Sequence, residues 1–501
     1  MSALADLREV LFEVSDLHQA AELLGWDQET YMPAGGVADR ANQLGTLSRI
    51  AHERFVAAST GRLLEAAESE VSGLADDSDD ARLVRVTRRD WDQETRLPSD
   101  LVVALAREGA ISRPVWQEAR AKGDWALFAP RMRITVELAQ RVAEAIGTTG
   151  RAYDALIDLN EPGLDTAQVE HLFSQLRDRI VPLLRRVQEH SDRVDVSVLS
   201  REVEPQKQLS FSTRVVERLG YDFGRGRQDL SAHPFCTSFG IGDVRITTRV
   251  KPSLREGCLF SSIHESGHAM YEQGISPVLA RTPLAMGTSP GVHESQSRLW
   301  ENLVGRGRPF WQHFYPQLQE AFNGALNEVG EEEFYRACNA VEPSYIRVDA
   351  DELTYNLHIM LRFEIEKELL EGRLAVEEVP EAWAVQVKEY LGLEPPSGVE
   401  GPLQDIHWTQ PMLGGFIGYA LGNVIGAQLM ERARTGLPQL DAQIAAGDFA
   451  PLLGWLRENV YLHGRKFTPQ ELVQRVTGRA IEAGPWIRYV EGKFGDLYEL
   501  N

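Results

Sequence analysis

The sequence predicts a mainly α protein with one small β-sheet set beside a buried helix. Apolar residues recur at helical spacing through most of the 501 residues, as Leu4, Leu7, Leu11, Val14 and Leu17 do. Alternating, β-rich sequence is confined to about 229–250. Hydrophobic residues make up 43% and charged residues 25%, so the chain is ordinary globular protein. Its length allows a core that needs neither disulfide nor metal for stability.

The elements follow in order. Residues 3–24 read as an amphipathic helix, and Pro33-Ala34-Gly35-Gly36 as a break. Helical character resumes over 38–58, weakens in the acidic stretch 65–80, and returns over 81–95. Ser99-Asp100 can cap a helix over 101–111, and further helices are expected at 114–122 and 131–146. The pentapeptide Trp26-Asp27-Gln28-Glu29-Thr30 recurs at 91–95, but the flanks differ and no period continues, so no repeat is inferred. Glu161-Pro162-Gly163 is a loop, and helices follow over 166–188 and 210–219. Residues 235–239 and 244–249 are joined by Gly240-Ile241-Gly242-Asp243, which predicts a β-hairpin. Residues 310–395 are helical again, with a long helix over 353–370, and the tail from 438 is helical with breaks at Gly464 and Gly484-Pro485.

Composition excludes several roles. A net charge of −22 without a basic patch argues against nucleic-acid binding. Three sparse cysteines, Cys236, Cys258 and Cys338, fit buried thiols in a reducing compartment, and cytoplasmic localisation is expected. Residues 1–9 lack the basic and apolar regions of a signal peptide. Residues 412–430 carry no charge and approach the length of a membrane span. Five glycines, Asn423 and Gln428 interrupt that stretch, and Gly414, Gly418, Gly422 and Gly426 recur every fourth position. A closely packed buried helix is expected there, with no membrane span.

The chemistry centres on His264-Glu265-Ser266-Gly267-His268. On a helix, the two histidines lie one turn apart on one face and can grip one metal ion. Glu265 lies about 100° round the axis, placed to serve a water as general base. Apolar Leu259, Phe260, Ile263, Met270 and Tyr271 mark the helix as mostly buried, and it should stop near Gly274. Gly267 suits a close approach by another element. A second helix should open at Ser289 (N-cap) and Pro290. It presents His293 and Glu294, rivals for a third ligand, and spacing leaves the choice open. The edge of the hairpin next door could hold an extended peptide or be purely structural. Arg347 stands among acids before the long helix, and His407 is a lone histidine in a loop.

Six stretches taken together resemble the M32 metallocarboxypeptidases, the carboxypeptidase Taq family. They are His233-Pro234-Phe235, Asp243–Thr247, His264–His268, His293–Gln296, Ile346–Asp351 and Gly401–Trp408. The resemblance covers nearly the whole chain. It implies one peptidase domain over 1–501: a helical cleft wall over about 1–225, the metal-site part over about 226–430, and a helical part over about 431–501. It further implies a zincin-like helical fold with a deep central cleft, a homodimer, and Glu294 as third ligand beside His264 and His268. The implied activity removes single residues from peptide C-termini with broad specificity, usually refusing proline. Zn²⁺ is the expected cofactor, with Co²⁺ also suited to such ligands. The expected partners are peptides with a free C-terminus, neither nucleic acid nor membrane.

Some roles remain as expectations. An acid often follows such a ligand glutamate by one turn, but Arg298 stands there, so Asp349, Asp351 or Gln296 should support the ligands from outside. Arg347 is the first choice for the substrate carboxylate, with Arg245, Arg249 and Arg465 as rivals. Tyr419 and His407 are candidate oxyanion donors, and His233 a candidate substrate contact. The alternatives are a helical zinc endopeptidase, which would cleave peptides with blocked C-termini, and a non-catalytic metal-binding protein, which would not need Glu265.

Overall fold

The computed structural model describes residues 2–147, 150–394, 398–411 and 413–500. Within them lie twenty α-helices and one three-stranded sheet. The first helix runs Ala3–Thr30, longer than its apolar period suggests, with the Ser2 side chain accepting from Ala5 N. The weakly patterned acidic stretch opens inside another helix, Ala58–Val71, which buries Leu64 and Ala67 and turns its acids outward.

Two prolines did not end helices where the sequence suggested. The expected helices at 101–111 and 114–122 are one, Ser99–Lys122, with Pro114 inside and Pro98 rather than Ser99 at the N-cap. The next, Trp125–Ile146, likewise runs through Pro130. A proline removes one backbone bond, and burial of Trp116, Ala119, Phe128 and Met132 on the flanking turns outweighs that loss. Gly484-Pro485 opens the helix Gly484–Leu497 instead of breaking one, with proline in the first turn where its missing N–H costs nothing.

The sheet consists of β1 (Gln228–Leu230), β2 (Cys236–Ser238) and β3 (Val244–Thr248), in the order β1-β3-β2. The antiparallel β2–β3 pair is the expected hairpin; β1 adds a parallel partner that only three residues announce. Thr247 N donates to Phe235 O and Phe239 N to Asp243 O. By alternation, Cys236 and Ser238 turn their main-chain groups to the open edge.

Most of the apolar core is one cluster that reaches from Leu101 to Tyr498. At its centre lies the helix Ile417–Gly436, buried over most of its length. Met412, the start of the uncharged stretch, is outside the described residues. No helix among the described residues is long and apolar enough to cross a membrane. The glycines have another purpose, which is to let the short helix Pro290–Arg298 lie against this one. A Cβ at 422 would stand 2.4 Å from Glu294 Cγ, and one at 426 would stand 3.0 Å from Ser295 O. Gly414 is not part of the stripe. It precedes the helix at φ +96°, in a turn pressed against Leu156 O.

The two Trp-Asp-Gln-Glu-Thr copies occupy unlike settings. Trp26 lies under the Arg245 guanidinium at 4.4 Å, whereas Trp91 fills the space opposite Gly61.

Candidate metal centre and cleft

The helix Leu259–Gly274 carries His264 and His268 on one face. The helix Pro290–Arg298 crosses it closely because Gly267 has no side chain: a Cβ there would meet Ser297 Cα and Gln296 O at 2.7 Å. Ser289 caps the second helix, its Oγ accepting from Val292 N, with Pro290 in the first turn. This crossing brings Glu294 to the histidines. Its Oε2 lies 3.6 Å from His264 Nε2 and 3.4 Å from His268 Nε2. The three ligand atoms all fall within 4.8 Å of one another. Ligands about 2.1 Å from a tetrahedral ion stand about 3.4 Å apart, so this donor set fits a divalent cation.

His293, the rival ligand, turns away from that point. Its Nδ1 meets His268 Nδ1 and its Nε2 meets Glu272 Oε1. His264 Nδ1 donates to Glu301 Oε2 at 2.9 Å. Glu301 lies on a π-helical turn, Leu299–Gly305, that continues the ligand helix; such turns often mark functional sites. The expected outer partners are elsewhere. Asp351 accepts from Leu353 N and Thr354 N, Gln296 donates to Ser295 Oγ, and Asp349 sits in the turn Arg347–Asp349. Glu301 stands seven residues past Glu294, beyond the one-turn position where the sequence rule places the supporting acid. The signal that could have found it is the spacing Glu294, Arg298, Glu301, in which the arginine serves both acids. Arg298 donates to Glu294 Oε1 at 2.8 Å and lies 3.3 Å from Glu301 Oε2.

Charge in this site is strongly shaped. Burial raises the Glu265 carboxyl to about 7, with Glu294 and Glu301 adding to the rise against the opposing pull of His264. A bound cation would oppose that rise. Burial also works on Glu301 and Glu294, but Arg298 and the histidines outweigh it, holding Glu301 at about 2 and Glu294 lower still. Burial and the neighbouring His293 keep His268 neutral, with its value lowered to about 3.

A second polar cluster is joined to the first through Tyr355. Arg347 is buried, donating from Nε to Asp405 and from Nη1 to Tyr355 OH, which leaves Nη2 without a partner among the described residues. Arg362 also pairs with Asp405, at 2.5 Å. Burial lowers His407 to about 4 and His358 to about 3, so both are neutral near pH 7. Two buried guanidinium groups therefore face one carboxylate, leaving a surplus positive charge. Tyr419 lies beneath Arg347, 5.0 Å from its guanidinium, and its OH is 3.2 Å from His407 Nε2. Tyr355 links the clusters, since Arg298 stacks on its ring at 4.3 Å.

Two of the three rival arginines are engaged elsewhere. Arg465 forks onto Asp90, and Arg245 forks onto Asp243 while stacking on Trp26. Arg249 is exposed. His233 is exposed in the loop between β1 and β2, its carbonyl accepting from Ser231 Oγ.

Glu161 joins the N-terminal half of the chain to this centre. Its Oε1 accepts from Gly291 N, the first turn of the ligand helix. Burial raises its carboxyl from the ordinary 4.5 to about 7, against hydrogen bonds from Ser289 and Gly291 that lower it. A raised value means that the folded protein holds the proton more tightly. The resulting stability is complete below about pH 4.5 and is lost as pH rises through about 7. Glu161→Gln should remove that loss. Between pH 5 and pH 8 the wild type should fall relative to the variant by up to about 3 kcal/mol, read from urea midpoints. Parallel pH profiles would show that Glu161 does not titrate this way.

A helical protein that converges two histidines of a His-Glu-x-x-His helix with a glutamate from the next helix is a metallopeptidase by fold and site. The profile of the carboxypeptidase Taq (M32) metallopeptidases matches residues 6–494. Thermostable carboxypeptidase 1 of Thermus thermophilus is 40% identical, over 99% of each chain. Carboxypeptidase 1 of Bacillus subtilis is 36% identical, over 98% of each. The crystal structure of an M32 carboxypeptidase from Deinococcus radiodurans superposes with a TM-score of 0.96 at 45% identity, over 99% of this chain and 100% of that one. The chain belongs to the M32 family and is a metal-dependent carboxypeptidase.

Proposed function

We propose that the enzyme releases single amino acids from free peptide C-termini with broad side-chain tolerance, refusing C-terminal proline. His264, His268 and Glu294 would hold the ion, with Zn²⁺ the native metal and Co²⁺ able to replace it. When bound, the ion supplies Lewis-acid activation of water and of the scissile carbonyl. Glu265 takes the proton of the attacking water on its carboxylate and returns it to the leaving amine nitrogen. The Tyr419 hydroxyl donates to the developing oxyanion, with His407 fixing its direction. The open edge of β2 pairs with the substrate main chain, and His233 meets substrate at the rim.

One observation carries the choice of substrate end: the buried surplus charge at Arg347. Its free Nη2 and the unbalanced pair of guanidinium groups call for one anion, which the substrate's terminal carboxylate supplies. Its link to the metal centre through Tyr355 and Arg298 supports a reading in which that carboxylate and the scissile bond are bound side by side. Unpaired cysteines fit the cytoplasm, and the family resemblance supports a homodimer; fractionation and light scattering test these two points.

The deciding experiment is mass spectrometry of a mixed peptide set after incubation. Ladders trimmed from the C-terminus, abolished by chelator and at most faint for C-terminally amidated peptides, are expected. Internal cleavage of amidated peptides would replace this reading with an endopeptidase.

A further inference from the structure

The two metal-facing histidines are backed differently. His264 leans directly on a carboxylate, Glu301. His268 leans on another histidine. Its Nδ1 lies 2.5 Å from His293 Nδ1, and His293 Nε2 lies 2.8 Å from Glu272 Oε1. The His268 and His293 ring centroids are 4.5 Å apart with planes at 27°. That separation exceeds the nitrogen contact by only 2.0 Å (4.5 − 2.5), so the rings meet edge to edge in hydrogen-bonding geometry.

Two imidazole nitrogens this close need one proton between them. Two bare lone pairs repel, and two N–H groups clash. His268 must keep Nε2 bare to serve as a ligand, so the neutral ring carries its proton on Nδ1. His293 Nδ1 is then the acceptor. A neutral His293 accepting at Nδ1 has its own proton on Nε2, aimed at Glu272. Each tautomer in the row is thus fixed by the next, and the row ends on a carboxylate. Glu272 Oε1 is held in turn by Gly287 N at 3.2 Å.

The seat of His293 is built for the ring. A Cβ on residue 287 would stand 2.5 Å from His293 Cδ2, so only glycine there admits the imidazole. Tyr271 closes the other side, its ring centroid 5.5 Å from that of His293, and its hydroxyl receives Thr288 N.

We propose that His293 and Glu272 form a proton-fixing relay that holds His268 in its metal-binding tautomer and sets the affinity of the centre. They are positioning residues, since they touch no substrate. The relay rests on the reading that His264, His268 and Glu294 hold the ion. Outer partners of ligand histidines commonly contribute 10–100-fold in metal affinity. His268 is backed by a neutral ring and His264 by a charged carboxylate, so the two ligands donate unequally.

The test is zinc affinity, measured by competition with a chromophoric chelator, for the full chain and four variants. His293→Phe keeps a ring in the seat but removes the acceptor, and should weaken zinc binding about 10–100-fold. His293→Gln restores an acceptor oxygen and should recover most of that loss. Glu272→Met leaves the His293 N–H without an acceptor and should weaken binding about tenfold, which covers the case in which His293→Phe fails to fold. The visible spectrum of the Co²⁺-loaded His293→Phe protein should shift, since the ligand field at His268 changes. Zinc affinities within twofold of wild type for both His293→Phe and Glu272→Met would overturn the relay. His268→Ala separates the two ideas. If it loses zinc while those variants do not, the ligand set stands and the relay alone falls; if it keeps zinc, the ligand set itself is wrong.

Discussion

Glu265→Gln is expected to lower kcat on the order of 10³-fold while metal content stays near that of the wild type. The size follows from the role, because a positioned general base typically contributes 10²–10⁴-fold. Retention of metal follows from geometry, because Glu265 is not among the three converging donors, His264, His268 and Glu294. Glutamine keeps the shape of the side chain but cannot take a proton. Without an ion, burial raises the carboxyl to about 7, and a bound cation would draw it back down and favour the carboxylate that accepts the proton. Steady-state kinetics on a free-C-terminal peptide and metal analysis of the same sample check both halves. Unchanged kcat would remove Glu265 from the proton path, and lost metal would make it a ligand.

Arg347→Met should lower kcat/KM for a free-C-terminal peptide by about 100-fold, equivalent to about 3 kcal/mol, in the range for truncating one partner of a buried charge pair. It should leave the small rate on the matching C-terminal amide nearly unchanged, so that preference for a free terminus collapses. Methionine fills much of the stem's volume, and Asp405 keeps its other partner, Arg362, so no orphaned carboxylate confuses the result. Loss of folding would show in the thermal midpoint. An intact preference in a folded variant would point to Arg249, which is exposed and, among the described residues, makes no fork onto an acid.

Much of this centre was legible in the sequence because its parts are short and local. His264 and His268 announce themselves by one helical turn, and Ser289-Pro290 by capping chemistry. What was not legible is where elements cross. The contest between His293 and Glu294 is undecidable from adjacent positions, and the crossing at Gly267 turns Glu294 toward His264 and His268 and leaves His293 facing Glu272. Glu301 hid because it stands two turns past Glu294 rather than one, on a π turn, with only the shared Arg298 between them to signal it. Helix boundaries failed at Pro114 and Pro130, where tertiary burial overrode a local rule. β1 failed because three residues carry almost no period.

The face of glycines on Ile417–Gly436 has a consequence for how the enzyme is assembled. Glu294 is seated by a backbone that lies 128 positions further along the chain (422 − 294), so the metal cage cannot close until that helix has docked. Such distant pairing is slow to form, because the loop must close before the contact rewards it. An ion held by these residues would then bind only a nearly finished molecule and act as a latch on the native state. Metal supply would thus govern how long the enzyme survives heat as well as whether it turns over.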